Sequence, residues 1–413
     1  MAQDTAKPLD SFDSDPRTLG WMEGFPPKPD RRIEFADGSF REFPKSRWAF
    51  SHFRQLMPTK QVWRGRGPAS VLERDAQDLG CIPVTFADGR TIKFCEALAE
   101  TYADGIAVLH RGRLVYEKYF GALDAHEPHI GMSVTKSFTG TLAGMLVSEG
   151  LLDPAAPVIQ YVPELKSSGF GDATVEQVMD MTTGVKYTEV YTDPNSDVWA
   201  MRRANGTAPP LPGQPQLSLL EYLTTIPKLG EHGAKFTYRT VNTDVLAWII
   251  RRVTGRELAE TLSERIWQPM GAEEDAYYVV DRLGIEAAGG GLATTLRDLA
   301  RFGEVMRCRG AFNGRQVVHQ DAVDAIARGG DPKKFARETF PTLPGWSYRN
   351  QWWVSHDSHG VYMARGIHGQ SIYIDPKAEV VIARYASHHA AGNVNNDPVT
   401  LPAFRSVALA LMA

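Results

Sequence analysis

The chain has 413 residues, 43% apolar and 23% charged, with a formal net charge of -4. This is enough for one large two-part domain or two domains with an ample core. Charge and apolar patterning leave no basic footprint for nucleic acid and no run long enough to span a bilayer.

Residues 1–30 are rich in Pro, Asp and Gly, and residues 1–45 are expected to form an N-terminal segment wrapping over a surface. Ile33-Glu34-Phe35-Ala36-Asp37-Gly38 and Pro83-Val84-Thr85-Phe86-Ala87-Asp88-Gly89 echo each other. Each predicts a short strand entering an Asp-Gly hairpin turn. Residues 106–120 predict an antiparallel hairpin turning at Arg111-Gly112. A helix is expected over 133–149, with Val134, Phe138, Leu142, Leu146 and Val147 at helical spacing and Gly150 as its stop. Residues 151–270 read as helical and loop-rich, with helices at 175–181, 217–223 and 244–253. Strands return at 277–280, 351–355, 371–375 and 380–384, and an amphipathic helix at 401–412 is suited to covering a sheet face. The order predicts an α/β (α+β) body from 46–160 and 271–413, with a helical insertion over 161–270 and a cleft between them.

Residues 1–14 lack the apolar stretch of a secretory signal, so the expected location is cytoplasmic. Cys81, Cys95 and Cys308 are widely spaced and predict free, buried thiols. The pairs His126/His129, His356/His359 and His388/His389 have no third ligand at a matching spacing and read as surface-loop histidines. No metal and no other cofactor is expected.

Ser133-Val134-Thr135-Lys136 opens the predicted helix. Three residues apart, the serine and lysine share one face, so the amine can reach the hydroxyl. The positive end of the helix dipole disfavours the ammonium, and a neutral amine beside a hydroxyl is what an activated serine needs. Acyl cleavage also requires a proton relay to the leaving atom and donors for the oxyanion. Tyr238, just before an apolar helix, is the candidate relay, with a core tyrosine as the plainer reading. Gly366-Ile367-His368-Gly369-Gln370, at a strand entrance, offers the Ile367 N–H as a donor, with a hairpin bend as its plainer reading.

These elements occur in the order of the serine β-lactamase and penicillin-binding protein superfamily. Residues 289–303, Gly-Gly-Gly-Leu-Ala-Thr-Thr-Leu-Arg-Asp-Leu-Ala-Arg-Phe-Gly, resemble a segment of its class C and esterase branch. Met132-Ser133-Val134-Thr135-Lys136-Ser137, Tyr191-x-Asp193-Pro194, residues 241–248, Gln351-Trp352-Trp353, residues 366–370 and Arg47-Trp48-Ala49-Phe50 are similar to the 6-aminohexanoate-dimer hydrolases. The resemblance covers about residues 45–410. It implies a β-lactamase-like antiparallel sheet flanked by helices, and a serine hydrolase acting through an acyl-enzyme. By the same resemblance Ser133 attacks, Lys136 takes its proton and Tyr238 passes a proton on, while the N–H groups of Ser133 and Ile367 hold the oxyanion. Tyr191 would close over a bound amide, Trp353 would form an aromatic wall, and Gly366 and His368 would line the substrate site.

Three departures narrow the substrate. The superfamily's Tyr-x-Asn is here Tyr238-x-Thr240, with Asn242 displaced. Its Lys-Thr-Gly is Ala364-Arg365-Gly366, where Arg365 is only a weak replacement for the lysine charge, which disfavours β-lactams. Arg202, eleven residues past Tyr191, stands where amide-oligomer enzymes of this branch carry an acid for a substrate amine. The expected substrates are therefore small carboxylic esters, linear amides, or both. The alternatives are a β-lactamase or DD-peptidase activity and a non-enzymatic binder retaining the fold. The expected partner is a small molecule, with no nucleic acid, no membrane and a possible homodimer.

Overall fold

The hairpin at residues 106–120 forms one edge of a seven-stranded antiparallel sheet in the computed structural model, which describes residues 8–336 and 339–413. Its strands lie in the order Ser347–Arg349, Trp352–Val354, Tyr362–Gly366, Gln370–Asp375, Val380–Ala386, Ala103–His110 and Arg113–Tyr119. Both faces are covered, which explains the near-continuous apolar run at 380–386. Val381, Ala383 and Tyr385 pack with Leu299, Phe302 and Val305 of the helix Leu296–Arg307. Val380 and Ile382 point the opposite way, as the two-residue strand period requires, and pack with Phe404 and Val407 of the helix Asp397–Met412.

A second antiparallel sheet orders Thr59–Val62, Ala276–Val279, Leu292–Thr294 and His129–Ile130. The strand His129–Ile130 delivers the chain directly to the helix Val134–Ser148. Thirteen of that helix's fifteen residues are buried, so it is a central element rather than an amphipathic cover. Phe138, Leu142 and Leu146 are fully enclosed, each contributing roughly 1.5–3 kcal/mol of apolar burial. A side chain at Gly140 would place its Cβ 2.3 Å from Asn350 O, so the absence of one lets the loop before Trp352 lie against the helix. Alongside it runs Val241–Thr254, closed by Gly255 in the left-handed conformation. Residues 161–270 also contribute the helices Val175–Met179, Asp197–Ala204, Leu219–Thr224 and Leu258–Leu262. Their apolar side chains join one hydrophobic cluster with the central helix and the large sheet. No described helix is long and apolar enough to cross a membrane.

Several expectations are corrected. Of the two echoing stretches, Pro83–Thr85 pairs with Thr91–Lys93 as predicted. Residues 33–38 form no strand, because no partner follows; Ile33 instead anchors the N-terminal segment in a cluster with Phe40, Phe50 and Phe53. The three thiols are free, but Cys81 and Cys95 are exposed and Cys308 is only partly covered. Cys95 lies on the solvent side of Phe94–Glu100, whose Phe94, Ala97 and Leu98 take the buried positions. His129, His359 and His388 are buried rather than on surface loops. His129 Nε2 lies 3.3 Å from Asp104 and His359 Nδ1 2.8 Å from Asp375, so carboxylates from neighbouring strands satisfy both rings.

Candidate active site

Ser133 occupies the N-cap of the central helix, presented by a tight backbone turn. Met132, just before it, has φ of +47°, a left-handed conformation that is costly for a non-glycine residue. The turn is held by the neighbouring strand: Gly131 N–H donates to Leu292 O at 2.8 Å, and Leu292 N–H donates to Thr135 Oγ1 at 3.1 Å. The hydroxyl is thereby lifted into a cleft. Lys136, one turn on and 1% exposed, places Nζ 2.8 Å from Ser133 Oγ.

Lys136 Nζ also donates to Gly289 O and stands 5.1 Å above the Tyr238 ring. Gly289 N–H in turn donates to Asp244 Oδ1 at 3.1 Å, so a buried carboxylate anchors the residue whose carbonyl receives the amine. Burial pulls the Lys136 pKa down, partly offset by the negative charges of Glu189 and Asp244. The largest cause is desolvation. Asp244 is pushed up, again by burial, against the pull of Lys136.

Tyr238 lines the same cavity as Ser133, and burial pushes its phenol far above the usual range. It is a neutral donor at physiological pH. Its ring stacks on Trp353 with centroids 5.6 Å apart, and Phe340 meets the same tryptophan edge-on at 5.1 Å. Such pairs are worth about 0.5–1.5 kcal/mol each beyond area burial and hold the tyrosine in place.

The strand Tyr362–Gly366 closes the site from the other side. A Cβ on Gly366 would lie 2.7 Å from Gly131 O and 3.0 Å from Ser133 N. Only a bare α-carbon lets this strand end approach the Ser133 amide, and Ile367 is thereby set beside it. Two cavities, of ≈ 200 and ≈ 290 Å³, open on either side of Ser133 and share Tyr191 and Ile367 as their common wall. Arg202 and His368 line the first; Tyr238, Trp353 and Gly366 line the second. His368 is kept neutral, its pKa lowered to about 4 by burial. Its Nδ1 lies 2.7 Å from His388 O. Ser133, Lys136, Tyr191, Arg202, Tyr238, Trp353, Gly366, Ile367 and His368 are thus brought to one cleft.

The beta-lactamase family model matches residues 94–399 of this chain. A 6-aminohexanoate-dimer hydrolase of Paenarthrobacter ureafaciens is 38% identical over 353 residues, spanning 84% of this chain and 87% of the relative. The chain belongs to the beta-lactamase family. A Bacillus anthracis structure provisionally named a 6-aminohexanoate-dimer hydrolase superposes with a TM-score of 0.85 at 31% identity, over 94% of this chain and 99% of that one. A family VIII carboxylesterase shares the fold, with a TM-score of 0.55 at 15% identity, over 76% of this chain and 96% of that one. The protein is accordingly a serine hydrolase related to 6-aminohexanoate-dimer hydrolases and esterases.

Within that family the departures acquire physical causes. Asn242 does not face the cleft: it is fully buried, accepting from Thr183 Oγ1 at 2.6 Å and donating to Arg239 O at 3.0 Å. Arg365 does not supply a free charge in place of the lost lysine, because Asp397 binds it at 2.5 Å and its guanidinium lies over Trp346 and Trp353. Tyr191 donates its hydroxyl to Glu189 at 2.6 Å. Glu189 is a site residue that sequence reasoning missed. It also accepts from Thr240 N at 2.7 Å and Thr240 Oγ1 at 2.6 Å, capping the helix that follows Tyr238. Its signal was its place two residues before Tyr191, on the same face of an extended stretch. Asp244 was also missed, and so was Arg41, whose guanidinium reaches the first cavity from the N-terminal segment.

Proposed function

We propose that the protein hydrolyses small carboxylic esters, linear amides, or both, through an acyl-enzyme on Ser133. The observation that carries this reading is the 2.8 Å contact between the buried Lys136 amine and Ser133 Oγ at the mouth of two cavities. Lys136 takes the hydroxyl proton as Oγ attacks the acyl carbon. The developing oxyanion lies between the N–H groups of Ser133 and Ile367. Tyr238, a neutral phenol in the same cavity as Ser133 and beside Lys136, passes its proton to the leaving atom and regains one from the Lys136 ammonium. Water then attacks the acyl-enzyme by the same route in reverse, restoring Ser133.

Tyr191 stands at the divide between the cavities, where it assists departure of an amine, and Trp353 walls the leaving-group side. The 38% identity to a 6-aminohexanoate-dimer hydrolase supports extending the reading from esters to linear amides. The pinning of Arg365 by Asp397 speaks against β-lactams. The proposal includes the organisation into a wrapping segment to residue 45, a body of 46–160 and 271–413, and a helical insertion over 161–270. It also includes a cytoplasmic homodimer; the free thiols support the reducing compartment.

A panel of p-nitrophenyl esters, 6-aminohexanoate dimer and nitrocefin tests the reading. Ester turnover, with or without dimer cleavage and with little nitrocefin hydrolysis, is the expected profile. Efficient nitrocefin hydrolysis with inert esters would replace it with a lactamase.

A further inference from the structure

The first cavity beside Ser133 holds two guanidinium groups and no carboxylate. Arg202 comes from the last turn of Asp197–Ala204, and Arg41 from the N-terminal segment. Both lie over the Trp199 ring, at 5.0 and 6.0 Å from its centroid, and Arg202 also covers Tyr191 at 4.9 Å. Neither guanidinium has a hydrogen-bond or carboxylate partner among the described residues. Elsewhere the buried arginines of this chain have protein acceptors: Arg47 has Asp104, Arg301 has Asp298 and Arg365 has Asp397, while Arg239 and Arg384 donate to backbone carbonyls. Two like charges in one partly dry cavity repel, and burial together with the Arg202 charge lowers the Arg41 pKa well below its ordinary value. His368, the other ionisable side chain lining this cavity besides the Tyr191 phenol, stays neutral, and the Glu189 carboxylate lines the second cavity, where it is engaged by Tyr191 and Thr240. A bound anion would remove the repulsion and accept the unused N–H donors, and planar forks suit a carboxylate.

The two cavities also divide the substrate. Tyr238, the proton donor to the leaving atom, lines the second cavity and is absent from the lining of the first. The leaving group therefore departs on the Tyr238 side, and the acyl chain occupies the cavity with the arginines. We propose that Arg41 and Arg202 form a subsite for an acyl chain ending in a carboxylate. The favoured substrates are then monoesters or monoamides of linear dicarboxylic acids. This rests on the reading of Ser133 as the acylated nucleophile.

The test compares mono-p-nitrophenyl adipate with p-nitrophenyl hexanoate, which share chain length and leaving group and differ in the terminal charge. Wild-type kcat/KM should favour the adipate roughly ten- to a hundredfold, the range expected of a charge-assisted contact. Arg41→Gln and Arg202→Gln should each reduce that ratio several-fold, and the double variant should bring it near one. Arg202→Lys should retain part of the preference, which a purely packing role would not restore. Arg202→Asp should turn preference toward the 6-aminohexanoate p-nitrophenyl ester. Equal wild-type turnover of adipate and hexanoate esters would overturn the subsite while leaving the hydrolase intact. So would an unchanged ratio in the folded glutamine variants. Failure to turn over any ester would overturn both.

Discussion

Replacing Gly366 by alanine adds one methyl group at the narrowest point of the site. The backbone there, with φ of -131° and ψ of 154°, is ordinary extended chain that alanine adopts freely. Any effect must therefore come from space rather than from conformational preference. The new Cβ would stand 2.7 Å from Gly131 O and 3.0 Å from Ser133 N, against the ~3.5 Å at which carbon contacts are comfortable. Both neighbours are backbone, and Gly131 is itself fixed by its bond to Leu292, so the strand end must retreat by about half an ångström or more. That retreat carries the Ile367 amide away from the proposed oxyanion position. Loss of one oxyanion donor costs about 10²–10³ in kcat, or ~2.7–4 kcal/mol, which sets the upper bound for the variant. The overpacking should destabilise the fold by about 1–3 kcal/mol, which leaves a domain of this size folded at assay temperature. Steady-state kinetics on a p-nitrophenyl ester, with circular dichroism as the folding control, provide the readout. A fall in kcat of tenfold or more is expected, with a smaller change in KM. An alanine variant within about twofold of wild type would refute the placement of the oxyanion site at this strand end.

The other predictions concern protons. With Lys136 as the proposed base and its pKa lowered by burial, kcat/KM should rise with pH through a limb well below the ~10.4 of free lysine. The Asp244 and Glu189 charges pull that pKa up, so Asp244→Asn should move the limb to lower pH, and an unmoved limb would dissociate Asp244 from Lys136. Lys136→Arg should be nearly inactive, because arginine does not release its proton near neutrality; substantial activity would make Lys136 merely structural. Tyr191→Phe should depress amide cleavage far more than ester cleavage, since an amine must be protonated to leave, whereas Tyr238→Phe should depress both. Equal losses on both substrates for Tyr191→Phe would reduce Tyr191 to packing.

The chemistry legible in the sequence was the chemistry written locally. Ser133 and Lys136 are one helical turn apart, so their meeting follows from the helix period alone. Gly366 and Ile367 announce a strand entrance by composition. Glu189 acts on Thr240, 51 positions later, and Arg41 reaches a tryptophan in the helical stretch through the path of the N-terminal segment. Such meetings depend on tertiary packing, which no local pattern encodes. The strand Tyr362–Gly366 was obscured because Arg365 places a charge where a buried strand calls for an apolar residue, and its compensation, Asp397, lies in the terminal helix. The same holds for His129, in the four-stranded sheet, and His359, in a turn, whose carboxylate partners Asp104 and Asp375 sit on strands of the large sheet. Residues 33–38 erred in the opposite sense: a correct local strand signal was overruled because no strand was available to pair with it.

The central claim is that Ser133 becomes acylated. Incubation with a serine-directed p-nitrophenyl phosphonate, followed by intact mass measurement and peptide mapping, tests it most directly. A single adduct on Ser133 is expected, its appearance parallel to the loss of ester hydrolysis, with neither adduct nor turnover in Ser133→Ala. An adduct on another residue, together with undiminished turnover in Ser133→Ala, would contradict the account.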